Sequence, residues 1–236
     1  MAYKDSLFRS LFSNETAALG LYNALHRTDY SEQDTEVIIN TLGESLFSNK
    51  KNDISFLLNR KLVIMVEHES IINQNMPFRF LQPIARIFEN AIPNRKAIYR
   101  GTRIKLPRPE FIVLYNGTRP FPDRHVLRLS DAYETTEGFE AIRLELEVIV
   151  YNINDADHNV QLMTSRSEEL RGYAYFVSQS RLYEKEERQM NEAEDPSGIT
   201  IRAVRRAIQD CKEQGLLVDF FDSLTPEAAN KSARRA

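Results

Sequence analysis

The chain carries one cysteine, Cys211, and no tryptophan in 236 residues. A single thiol excludes an internal disulfide and a cysteine-based zinc site. Its four histidines, His26, His68, His125 and His158, are too scattered to form a histidine-rich metal site. No apolar run approaches the roughly 18 residues of a membrane span. The opening "MAYKDSLFRS" puts Lys4, Asp5 and Arg9 where a secretory signal needs uninterrupted apolar chain. A cytoplasmic protein is therefore expected. No GxxxxGK[ST] loop, GxGxxG fingerprint or GxSxG elbow occurs, which removes the usual nucleotide-binding and serine-hydrolase readings.

What is present suits a globular chain with a sizeable core: 42% apolar and 28% charged residues. The net charge of -3 does not suggest a nucleic-acid binder. Its distribution is more informative. Residues 94–109, "NRKAIYRGTRIKLPRP", hold six Lys or Arg and no acid, and a local basic stripe binds phosphate even on an acidic protein. A solvated basic loop is the competing reading on charge alone.

Along the chain, "DSLFRSLF" has the spacing of a short amphipathic helix, and Asn14 can cap a second helix over "ETAALGLYNALH". "TEVIIN" reads as a first strand. "DISFLLN" and "KLVIMVEHES" read as a hairpin, and polarity selects its register. A loop centred on Arg60 pairs Leu58 with Leu62, Phe56 with Ile64 and Ile54 with Val66, one continuous apolar face. A shift by one residue would mix the faces, which a buried sheet resists. The same register sets Asp53 opposite Glu67. A helix with Pro77 in its first turn and Pro83 inside follows. "EFIVLYNG" is a buried strand, "IRLELEVIVYNIN" a longer one, and the chain from about residue 168 is helical with a break at "EDPSG" and an end at Gly215. Cys211 falls on an amphipathic helix, as a small buried side chain would. The result is an α/β domain with a helical C-terminal part.

Glu67 and Glu69 project from one strand face roughly 6.5 to 7 Å apart. At an effective dielectric of about 20 such a pair repels by roughly 2 to 3 kcal/mol. A hard divalent cation relieves that, and Mg²⁺ takes one or two carboxylates with waters and substrate phosphate. A wet strand end with an arginine partner is the alternative on spacing alone. His68 faces the other way and reads as a packed histidine.

Together, "KDSLFRSLF", "NDISF", "VEHESIINQNMPFRFL", "EFIVLYNG", "LELEVIVYNIN" and "AIQDCKEQGLLVDFF" resemble, in order, the recombination-promoting nuclease family, also labelled transposase-like, of the PD-(D/E)XK nuclease superfamily. The resemblance spans about residues 4–224. It implies a restriction-endonuclease-like αβββαβ core over residues 1–155, with the helical region over 156–224 packed on it; residues 225–236 read as a flexible tail, where relatives commonly carry a longer charged helical one. It also implies Mg²⁺-dependent cleavage of DNA, with Mn²⁺ as a substitute. Asp53 and Glu67 fall on the family's metal-binding acids. Arg79 falls on a basic position after the motif, suited to a phosphate or to anchoring the helix. Glu69 is a departure, because the superfamily has Lys there and this family Gln. It can bind a second ion, act as general base, or mark an inactive site. Arg95, Lys96, Arg100, Arg103 and Lys105 would then follow the DNA backbone. Two other classes stay open: a degenerate nuclease fold that binds DNA without cutting it, and an interaction module whose C-terminal helices pair with a partner or as a homodimer.

Overall fold

In the computed structural model, the described residues are 2–39, 54–92, 94–134, 137–138, 141–154, 167–190 and 195–224. They form a mixed α/β fold of two compact units, Met1–Ser31 with Ile153–Ala236, and Glu32–Asn152. Among them, no helix is long and apolar enough to cross a membrane.

The first unit is helical. Helix α1 (Ala2–Leu11) buries Phe8 and Leu11, and α2 (Glu15–His26) starts where Asn14 Oδ1 accepts the Ala17 amide at 2.8 Å. That is the expected cap, and it satisfies one of the orphan amides of the first turn. Helix α4 (Glu168–Met190) places Tyr173 against Phe8, with ring centroids 5.3 Å apart. Helix α5 (Pro196–Glu213) ends at Gly215, whose φ of 69° is left-handed. Asp210 fixes α5 on α4 by accepting from Tyr175 (3.2 Å) and Tyr183 (2.9 Å). Burial and the Asp210 charge raise the Tyr175 hydroxyl to about 12. Burial likewise raises the Cys211 thiol to about 12, in keeping with a packing role. A short helix, α6 (Val218–Ser223), buries Phe221.

The second unit is a six-stranded sheet with helix α3 (Met76–Ala91) on one face. Its strands are β1 (Val37–Ile39), β2 (Ile54–Leu58), β3 (Leu62–Glu69), β4 (Arg108–Tyr115), β5 (Arg124–Arg128) and β6 (Glu147–Asn152), in the order β1-β2-β3-β4-β6-β5. The central pairs β3–β4 and β4–β6 are parallel, and the outer pairs are antiparallel. Strand β3 is buried at every position from Val63 to His68.

The hairpin register is the one polarity selects: Leu58 faces Leu62, Phe56 faces Ile64 and Ile54 faces Val66. Asn59 and Arg60 turn it with φ of 49° and 52°, a conformation asparagine tolerates. The side chain of Asn59 accepts the Glu36 amide at 2.9 Å, and Arg60 forks onto the Glu36 carboxylate. One strand expectation changes, and one strand is added. β6 begins only at Glu147, with Leu144 half exposed. Its outer neighbour β5, "RHVLR", is short and charged, with Arg128 paired to Glu147 at 2.9 Å. Those features protect a sheet edge from pairing with another chain.

Candidate functional site

The carboxyl end of β3 carries the acids. Val63, Met65 and Glu67 share the face covered by α3, where Val63 and Met65 pack in one core with Met76 and Phe80. The Glu67 side chain is only 6% exposed and that of Glu69 is 24%. The chain leaves β3 at Ser70 and enters α3 with Pro77 in the first turn, a position that needs no amide. Arg79 lies in that first turn, three residues after buried Met76, so it leans over the same face. Its Nη2 donates to Glu67 Oε2 and its Nη1 to Glu69 Oε1 at 2.6 Å.

A cation in the first turn opposes the helix macrodipole, and the first turn of α3 holds no acid. The two glutamates, not the helix, therefore hold Arg79 where it is. Two carboxylates against one guanidinium leave one unit of negative charge among the three side chains.

Strand β4 backs the acids closely. Glu67 is in register with Val113, His68 with Leu114 and Glu69 with Tyr115. The Asn116 amide donates to the Glu69 carbonyl at 3.0 Å, and Ser70 Oγ to Asn116 Oδ1 at 2.9 Å. Gly117 follows, and a Cβ there would overlap the Ser70 carbonyl and Tyr115 Oη. Tyr115 Oη in turn holds Arg119, accepting its amide at 3.2 Å and donating to its carbonyl at 3.0 Å.

Of the residues selected from sequence, the structure brings Glu67, Glu69 and Arg79 into direct contact. Asp53 lies outside the described residues. His68 is buried, as expected. Arg95 and Lys96 sit on a 3-10 turn, Arg95–Tyr99, and Arg100, Arg103 and Lys105 on the irregular chain before β4, all exposed. That segment enters β4 at Arg108, which pairs with Leu62 at the start of β3. Arg108 is thus five to seven strand residues, roughly 17 to 23 Å, from the glutamates, so the basic segment enters the sheet at the opposite end of β3 from them. Arg95 instead pairs with Glu89 at 3.2 Å.

Two exposed arginines were not foreseen from sequence: Arg119 on the β4–β5 connection and Arg124 at the start of β5, at the same strand ends as the acids. The signal that could have found them is two arginines flanking a Pro-containing turn after a buried strand. Among the described residues no group of three or more His, Cys, Asp or Glu is placed to hold a metal ion. The chain matches no known family model, no curated protein and no solved structure.

Proposed function

We propose that the protein is a divalent-metal-dependent DNA endonuclease with a PD-(D/E)XK-like core and its reacting centre at the carboxyl end of β3. The observation that carries this is the Glu67–Arg79–Glu69 cluster, two carboxylates on one strand face drawn together around one cation with Glu67 almost sealed from solvent. Supporting it, α2, β1, β2, β3, α3 and β4 follow one another in the αβββαβ order that the resemblance implies. Asp53 directly precedes Ile54, which pairs with Val66 beside Glu67.

The donors present are hard carboxylate oxygens, and two of them match the one or two carboxylates that Mg²⁺ takes from a protein. Mg²⁺ bound there would activate water and offset charge on a phosphodiester. Glu67 and Asp53 would serve as its ligands. Glu69, the more open acid, would accept a proton from the attacking water. Arg79, released from the carboxylates, would donate its planar fork to a phosphate oxygen.

One observation favours a second reading: Arg79 spans both acids and offsets their charge without a metal, as it would in a degenerate nuclease that only binds DNA. Nicking of supercoiled plasmid in Mg²⁺ or Mn²⁺ separates the two. Metal-dependent nicking by the wild type that is lost in Asp53→Ala is the expected result. Retained DNA binding with no nicking in either metal would establish the second reading instead.

A further inference from the structure

The basic stripe expected to carry DNA enters the sheet at the wrong end of β3 and β4 for the acids. We propose that the β4–β5 connection and the start of β5, residues 116–124, form the phosphate-binding track of this site, with Arg119 and Arg124 as its contacts to the nucleic-acid backbone. This assignment rests on the nuclease reading above.

Position comes first. In open sheets of parallel strands, ligands bind outside the carboxyl ends of the strands, and β3, β4 and β6 all end here. Glu69 is in register with Tyr115, and Tyr115 with Asn152. The Asn152 amide donates to the Asp123 carbonyl at 3.0 Å. Glu69, Tyr115, Asn152 and Asp123 thus form a row across the strand ends, and Arg124 follows Asp123. With strands about 4.8 Å apart, three spacings make a row of roughly 14 Å. That is about four phosphate steps of one DNA strand at 3.4 Å of helix axis each.

Rigidity comes second. Tyr115 Oη bonds both the amide and the carbonyl of Arg119. Gly117 is packed with no room for a side chain. The Phe121 ring lies 4.9 Å from that of Tyr115, and the Phe121 carbonyl accepts Asn152 Nδ2 at 2.8 Å. The turn is therefore tied to the strands that place Glu67 and Glu69, while the side chains of Arg119 and Arg124 face solvent. Long cations on a fixed backbone lose less freedom on binding than the same charges on a loose loop.

The test is the salt dependence of duplex-DNA affinity, read by fluorescence anisotropy in EDTA so that no cleavage intervenes. The full chain is compared with Arg119→Ala/Arg124→Ala and with Arg103→Ala/Lys105→Ala, after matching melting curves. The slope of log K against log salt is expected to flatten by about 2 in the first variant, near one unit per lost phosphate contact. Its affinity at 0.1 M salt should fall about tenfold or more. An unchanged slope in that variant, with the Arg103/Lys105 variant flattened instead, overturns the track but leaves the nuclease reading standing. A wild type with no salt-dependent binding overturns both.

Discussion

Arg79→Ala is expected to destabilise the second unit by about 3 to 5 kcal/mol, the range for removing one partner of a buried ion pair. The Glu67 side chain is 6% exposed and Arg79 is 19% exposed, so solvent cannot replace the guanidinium that both glutamates lose. What remains is two carboxylates two residues apart on one strand, repelling by roughly 2 to 3 kcal/mol at an effective dielectric of about 20. Urea unfolding of the wild type and the variant measures the loss. Adding Glu67→Gln to Arg79→Ala removes the sealed charge and should restore part of it, a coupling that a double-mutant cycle isolates. A loss below about 1 kcal/mol would place the cluster among ordinary surface pairs.

Gly117→Ala carries the second large effect, about 2 to 3 kcal/mol of stability, at the upper range for overpacking a close contact. The reason is steric. The added methyl would occupy space already held by the Ser70 carbonyl and Tyr115 Oη. The two obstacles differ in softness. Tyr115→Phe removes the hydroxyl, so Gly117→Ala should be milder in that background. It should not become neutral, because the Ser70 carbonyl belongs to the chain leaving β3. Equal penalties in the two backgrounds would mean that the Ser70 carbonyl and the Tyr115 ring edge, not the hydroxyl, set the limit. Because Ser70 joins Glu69 to the α3 segment, the same substitution should also shift the acids and weaken any activity they support.

The parts of this fold legible in the sequence are those where one physical preference acts without competition. The β2–β3 register was readable because both strands are buried and any slip would mix polarity. The Asn14 cap was readable because a helix start has only a few ways to satisfy its amides. Arg79 stood out as a basic position after the motif, but the sequence left its role divided between phosphate and helix anchor. In the structure its direct bonds run to the carboxylates.

Less was legible where placement depends on topology. Strand β5 has only Val126 and Leu127 as apolar residues, because an edge strand is stabilised by its neighbour more than by its own pattern. Leu144 continues the alternation of β6 by sequence, yet pairing begins at Glu147. The basic stripe was visible as charge, but which end of the strands it meets is set by the β3–β4 parallel register, which composition does not encode. For the same reason Arg119 and Arg124 passed unnoticed until the strand ends were aligned.

Whether the β3 carboxylates serve a divalent cation, and not merely the arginine between them, decides between a nuclease centre and a structural ion pair. Calorimetric titration of the wild type and Glu67→Gln with Mn²⁺, at matched fold by circular dichroism, tests it most directly. Saturable Mn²⁺ binding by the wild type, weakened at least tenfold in Glu67→Gln, is the expected result. No binding by the wild type, or the same binding by both proteins, would contradict it and leave Glu67, Glu69 and Arg79 as an ion-pair anchor for α3.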